Sequence, residues 1–293
     1  MVHDKRQFWA IIDGRDPLAV INAQRTYGIS NEAMGYALDA DEQPHVEYDN
    51  STETFLLIYN VLRSEPKDDQ PDAPLTFLIK NGHLLVITTK ATAHLTKRLR
   101  TILTSLADAT PFKALFACLV PLTDRFSPML RQLDADRRRI AARLHERTNK
   151  KALLHLSDLT LRANYLARAA KQNTIVLQQA YAHRQEFSTS EQEQLADVII
   201  EADQVLGMAQ VSAETLEHLT DTYNNILNNN LNDTMKFMTV WSLLLTVPTI
   251  VTGFYGMNVA LPAQHSPMGW VITLGITGIL WLIMGIILHQ WIK

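Results

Sequence analysis

Two stretches near the C-terminus decide the architecture: Phe237-Met-Thr-Val-Trp-Ser-Leu-Leu-Leu-Thr-Val-Pro-Thr-Ile-Val-Thr-Gly-Phe254 and Trp270-Val-Ile-Thr-Leu-Gly-Ile-Thr-Gly-Ile-Leu-Trp-Leu-Ile-Met-Gly-Ile-Ile-Leu288. No Asp, Glu, Lys or Arg occurs anywhere from Phe237 to Trp291. A helix needs on the order of 20 apolar residues to cross a bilayer core of about 30 Å, and each stretch comes close to that length. One such run could be a buried core helix. Two in succession, in a chain whose charges otherwise recur every few residues from Met1 to Asp233, predict a membrane hairpin. Lys236 precedes the first span and Lys293 follows the second, while the loop Val259–Gly269 has His265 as its one basic side chain. The positive-inside bias therefore predicts a multi-pass protein of the cell (plasma or inner) membrane, with both termini cytosolic and the short loop outside. The opening Met-Val-His-Asp-Lys-Arg-Gln-Phe8 has no apolar signal-peptide core, which agrees.

The two spans differ in character. The second carries Gly275, Gly278 and Gly285 among Ile and Leu, as expected of a lipid-facing helix that packs closely through small residues. The first carries Thr239, Ser242, Thr246, Thr249 and Gly253 at steps of three, four, three and four, which places them on one helix face. Met235 and Asn232 extend that face backwards. A hydroxyl in a membrane helix often bonds the carbonyl of its own preceding turn. A whole stripe in register points further, to a wet axis, and because one helix cannot enclose a pore the stripe calls for an oligomer.

Upstream, short β-like runs at Gln7–Ile12, Val46–Tyr48, Thr54–Leu62, Leu75–Lys80 and His83–Thr89 are separated by turn residues. Asn81-Gly82 is a strong hairpin signal. Pro71 and Pro74, with Asp68, Asp69 and Asp72, read as a surface loop. Pro17–Tyr27 and Ser30–Leu38 read as helices, giving an α/β or α+β domain over residues 1–110. Beyond Pro111 the pattern is helical: Phe112–Arg147 and Lys150–His183 are long amphipathic segments. Ser188-Thr-Ser-Glu191 then resembles a helix N-cap. From there Leu195, Ile199, Ala202, Leu206, Ala209, Ala213, Leu216, Thr220, Tyr223 and Leu227 follow a heptad rhythm. That rhythm fits an intramolecular bundle and a self-associating stalk equally well. The expected organisation is a cytosolic α/β domain (1–110), a helical region (111–234) with a long stalk helix from about 189, a pore-lining span (235–258), an external loop (259–269), and a second span with a short tail (270–293).

The stretch Pro248-Thr-Ile-Val-Thr-Gly-Phe-Tyr-Gly-Met-Asn258 resembles the CorA family of magnesium channels, in which a Gly-Met-Asn triplet ends the first of two C-terminal spans. The short external loop, second span, small tail, preceding α/β domain and stalk extend the resemblance to essentially the whole chain. It implies a homopentamer around the first spans, with Gly256, Met257 and Asn258 as the selectivity filter at the outer mouth. It also implies that Ser242, Thr246, Thr249 and Gly253 line the pore, Met238 or Met235 forms an apolar constriction, and Asn232 forms a polar ring on the cytosolic side. Mg²⁺ gives up its water reluctantly, so neutral amide oxygens can greet the hydrated ion. Family members are closed by Mg²⁺ held between carboxylates of adjacent cytosolic domains. Asp197 falls at the corresponding stalk position, with Asp68, Asp69 or Asp72 as its partner. The chain departs from the family in two places: the loop Val259–Met268 has no carboxylate, and the basic tail is reduced to Lys293.

Other chemistries find little support. His145-Glu146 has no second His at helical spacing, and no Gly-rich phosphate loop is present, so neither a metalloprotease nor an ATP-driven pump is expected. The formal net charge of −3 argues against nucleic-acid binding, and Arg137-Arg138-Arg139 reads as a solvated helix face. One cysteine, Cys118, excludes an internal disulfide. No organic cofactor is expected. Mg²⁺ is the expected cargo and regulator, and lipid and further copies of the chain are the expected partners. The alternatives are a Zn²⁺ or Co²⁺/Ni²⁺ transporter of the same superfamily, and a non-conducting membrane-anchored sensor or scaffold.

Overall fold

A computed structural model describes residues 8–49, 52–67, 70–106, 109–146, 150–257 and 267–292, which form two compact units, Met1–Asp221 and Thr222–Lys293. The first unit begins with β1 (Trp9–Asp13), α1 (Pro17–Tyr27), α2 (Asn31–Leu38), β2 (Val46–Asp49), β3 (Thr54–Lys67), β4 (Gln70–Lys80) and β5 (His83–Thr88). Local chemistry sets the limits of these elements. Asp16 caps α1 by accepting from the Leu18 amide at 3.0 Å, Ser30 caps α2 by accepting from the Ala33 amide at 3.1 Å, and Gly28 closes α1 at a φ of 68°. Asn81 and Gly82 both take positive φ (49° and 71°), as the hairpin signal requires.

The five strands are ordered β1-β5-β4-β3-β2, with β1 parallel to β5 and the other neighbours antiparallel. Both faces are covered. Leu56, Ile58, Leu78, Leu85 and Ile87 pack with Val20, Ala23, Met34 and Ala37 of α1 and α2. Phe55, Leu57, Tyr59, Phe77, Leu84 and Val86 pack on the opposite face. Five helices follow, α3 (Thr96–Ser105), α4 (Pro111–Asp124), α5 (Phe126–Glu146), α6 (Lys150–Ala182) and α7 (Thr189–Tyr255), and the partners on this face come from α3, α4, α6 and α7.

Two segments differ from the sequence expectation. Pro71, Asp72 and Pro74 lie within β4 rather than in a loop; Asp68 and Asp69 lie outside the described residues. The prolines are tolerated because β5 pairs only with Thr76–Lys80 of β4, so the earlier residues have no ladder on that side in which an N–H is needed. The expected single segment Phe112–Arg147 is split at Arg125 into α4 and α5. Pro128 stands in the first turn of α5, where a missing N–H is harmless, and it has no N–H to offer the Asp124 carbonyl, which weakens the helix at this junction.

Polar contacts tie the helices to the sheet. The Tyr59 hydroxyl meets the Thr123 hydroxyl at 2.7 Å. Strand β2 pairs with β3 only as far as Leu57, and the Ile58 amide donates to the His45 carbonyl at 2.9 Å. Further along this edge the side-chain amide of Asn173 on α6 takes the place of a strand. Its oxygen accepts from the Asn60 amide at 2.8 Å, and its nitrogen donates to the Asn60 carbonyl at 2.9 Å. The Asn60 side chain in turn donates to Gln172 at 3.0 Å.

Ser188 and Glu191 start α7 as expected. The Glu191 carboxylate accepts from the Ser188 amide at 2.7 Å and the Ser188 hydroxyl at 2.8 Å, and also from the Thr110 hydroxyl at the cap of α4. Burial alone would raise the pKa of Glu191, but the bonds from Thr110 and Ser188 together outweigh it and hold the carboxyl below its ordinary range. A depressed folded-state pKa gives stability that is present above the unfolded value near 4.5 and is lost as pH falls through the folded one. Glu191→Ala is therefore expected to cost about 1–2 kcal/mol at neutral pH. The gap from the parent should narrow below pH 4.5, as read from denaturant melts of the two proteins across pH.

Within this unit Leu195, Val198, Ala202, Val205, Ala209, Ala213 and Leu216 of α7 are buried. The heptad stripe is thus used inside the chain, with Val198 and Val205 replacing the expected Ile199 and Leu206 as its innermost members.

Candidate functional site

The second unit contains the remainder of α7 and α8 (Gly269–Ile292). Both are apolar enough to cross a membrane, with mean hydropathies of 1.6 and 2.5 over their most apolar stretches, and both leave most of that surface uncovered. Trp241, Leu245, Ile250, Phe254, Leu274, Ile279, Leu282 and Ile286 are among the large apolar side chains exposed. A surface of this extent needs lipid or protein against it.

The side of α7 that is covered carries Val240, Leu244, Val247, Pro248, Val251 and Tyr255, with Val251 only 7% exposed. At about 100° per residue, Thr239, Ser242, Thr246, Thr249 and Gly253 fall on the opposite side. All five are exposed, as are Asn232, Met235 and Met238. The sequence-derived pore face is therefore one face of the helix and is left free by the packing within the unit.

Three of its hydroxyls make the local bond anticipated for membrane helices. Thr239 donates to the Met235 carbonyl at 2.8 Å, Thr246 to Ser242 at 2.7 Å and Thr249 to Leu245 at 2.9 Å. Thr252, which sequence reasoning did not single out, donates to the Pro248 carbonyl at 2.8 Å. These bonds do not remove the oxygens from service. Each hydroxyl spends its one proton on the backbone, and its lone pairs remain as acceptors that a hydrated cation can use.

Helix α7 ends at Tyr255, where the Gly256 amide donates to the Thr252 carbonyl at 2.9 Å and the Met257 amide to the Phe254 carbonyl at 3.3 Å. A Cβ at Gly256 would stand 3.1 Å from the Thr252 carbonyl oxygen, so the small residue suits this tight exit. Met257 is exposed. Asn258, the filter residue implied by the motif, lies outside the described residues, as does the loop through Ser266.

The covered side of α8 runs through Thr273, Thr277, Met284 and Leu288, all half-buried. Gly285 is half-buried beside them, and within this chain nothing lies within 4 Å of a Cβ built at Gly275, Gly278 or Gly285.

The carboxylates implicated in regulation are separate features. Asp197 is exposed, on the face of α7 turned away from its buried stripe, with Glu193 exposed one turn earlier. Asp72 is 2% exposed and its Oδ1 has no hydrogen-bond partner. Burial raises its pKa, against the opposing pull of Arg168 and then Arg63. It lines a cavity of about 230 Å³ with Asp41, Glu42, Asn60, Arg168 and Gln172, and Asp197 is not among the residues around it. Among the described residues no group of three or more His, Cys, Asp or Glu side chains is arranged to hold a metal ion.

The chain thus combines an α/β domain and helices with a long helix, α7, whose apolar part carries a polar stripe, and with a second apolar helix, α8. The profile of the CorA-like Mg²⁺ transporter protein family matches residues 5–290, and the chain belongs to that family of divalent-cation transporters. It is 25% identical over 279 residues to the cobalt/magnesium transport protein CorA of Methanocaldococcus jannaschii, covering 92% of this chain and 86% of that protein. The complete structure of that organism's CorA magnesium transporter superposes with a TM-score of 0.81 at 22% identity, covering 98% and 91% of the two chains. The full-length CmaX protein gives a TM-score of 0.74 at 17% identity, covering 96% and 88%. The cytoplasmic domain of ZntB from Vibrio parahaemolyticus gives 0.62 at 11% identity, covering 75% and 88%. At these identities the structures establish the fold.

Proposed function

We propose that this chain carries Mg²⁺ into the cell through a homopentameric pore in the plasma or inner membrane, with both termini cytosolic. The observation that carries this reading is the exposed oxygen stripe of α7, which lies opposite the side covered within its own unit. A membrane anchor has no use for such a face, whereas five copies turned inward give a conduit lined by Ser242, Thr246 and Thr249. Neutral oxygens suit the cargo. Mg²⁺ sheds water slowly, and a filter must bind weakly enough to release. Gly256 and Met257 would shape the exit that presents Asn258 as a ring, Met235 and Met238 would narrow the pore with apolar surface, and Asn232 would ring its cytosolic end.

Asp197 is proposed as one carboxylate of a gating site for Mg²⁺ between neighbouring cytosolic regions. Its exposure supports this role, and the burial of Asp72 favours Asp68 or Asp69 as the partner. Bound cation would offset like-charge repulsion and favour the closed arrangement, a population shift that depletion reverses.

The test is influx into liposomes carrying the purified full chain, compared for Mg²⁺, Co²⁺, Ni²⁺ and Zn²⁺. Mg²⁺ influx that other ions compete for supports the proposal. Influx of Zn²⁺ driven by a proton gradient, with none of Mg²⁺, replaces it by the zinc reading. No influx of any ion leaves the sensor or scaffold reading.

A further inference from the structure

Pro248 sits inside α7 and has no N–H. The carbonyl four residues earlier, that of Leu244, therefore loses the donor that every other turn of a helix supplies. In an apolar span no water replaces it. The donor comes instead from the second span: the Trp281 indole Nε1–H donates to the Leu244 carbonyl at 2.8 Å. Indole has one donor and no acceptor, so this bond uses its whole capacity. Tryptophans of membrane helices ordinarily sit at the interfaces, where the N–H stays wet. Trp281 lies instead in the middle of the 24-residue α8. The open carbonyl accounts for its place there.

The bond lies at a sensitive point. A proline ring presses on the carbonyl four residues back and bends the helix away from it. Pro248 stands between Thr246 and Thr249, so the helix direction at this residue sets how the upper oxygen (Thr249) stands relative to the lower ones (Ser242, Thr246). The neighbouring backbone acceptors are already served, since Thr249 donates to Leu245 and Thr252 to Pro248. We infer that Trp281 is a positioning residue for transport: its indole N–H caps the carbonyl that Pro248 leaves open and thereby fixes the proline hinge of the pore-lining helix from the second span. The inference rests on the transport reading above and adds to it a residue that touches neither pore nor ion.

A double-mutant cycle on the full chain tests it. Trp281→Phe keeps a ring and removes the donor, and Pro248→Ala restores a backbone N–H for the Leu244 carbonyl. In the parent background, Trp281→Phe lowers the melting midpoint in detergent and changes Mg²⁺ influx by about three- to tenfold, the equivalent of one hydrogen bond. In the Pro248→Ala background the same substitution leaves both readouts nearly unchanged. Equal effects of Trp281→Phe on the midpoint in the two backgrounds overturn the cap. Coupled midpoints with unaltered influx overturn the positioning role and leave a structural bond only. If the parent protein moves none of the ions, the transport reading fails and the positioning role fails with it. Coupled midpoints would then still establish the cap, which separates the two failures.

Discussion

Asn258→Ala is expected to lower Mg²⁺ influx into proteoliposomes by at least about tenfold, because a filter that replaces or greets an ion's water does so with oxygens it must keep. In the proposed pentamer the substitution would remove an amide oxygen from every subunit at once, repeating the loss around the ring. Alanine would leave the proposed mouth wider and apolar, with nothing for a hydrated ion to exchange for bulk water. The loop beyond the motif, Val259–Met268, has no carboxylate to gather cations in its place. Discrimination among Mg²⁺, Co²⁺ and Ni²⁺ should weaken along with the rate. Unchanged rate and unchanged selectivity would remove the Asn258 ring from the account.

Asn173→Leu should strongly destabilise the first unit. Asn173 is 2% exposed, and its amide satisfies both the N–H and the C=O of Asn60, itself 3% exposed, where β3 has run past the end of β2. Leucine approximates the shape but strands two buried backbone groups. Each costs about 1–3 kcal/mol when left unpaired, so a total of about 2–6 kcal/mol is expected, a large part of the stability of an ordinary domain. Denaturant melts of the parent and variant read this directly. A loss below about 1 kcal/mol would mean that water or another side chain takes over at this edge.

Where the determining chemistry is local, the sequence was enough. Hydropathy located both spans, Asn81-Gly82 marked its hairpin, and Ser30 and Ser188 marked helix starts that the structure reproduces. The polar stripe of the first span was legible because helical spacing alone puts its members on one face, and that face is the exposed one. What depends on distant neighbours was not legible. The prolines of β4 indicate a loop unless β5 is known to stop short of them. Asn173 meets Asn60 across 113 positions, and nothing in either neighbourhood announces the pairing. The glycines of α8 suggested close packing, whereas the threonines that lie on its covered side within this chain, Thr273 and Thr277, gave no such signal. One signal could have been read further: a proline within a span always leaves a carbonyl open, and a mid-span tryptophan is a natural donor for it.

The central claim, that the stripe of α7 faces water in the assembled protein, is tested most directly by cysteine accessibility. The native Cys118 is buried and its thiol is pushed up to about 12 by burial, so it stays silent toward reagents that need thiolate. Single substitutions Thr246→Cys, Thr249→Cys, Val247→Cys and Val251→Cys, in reconstituted protein, are exposed to a membrane-impermeant charged thiosulfonate. Rapid modification at 246 and 249, slowed by millimolar Mg²⁺, with 247 and 251 unreactive, is the predicted result. Indifference at 246 and 249, or equal reaction at all four positions, would contradict a water-filled conduit along this face.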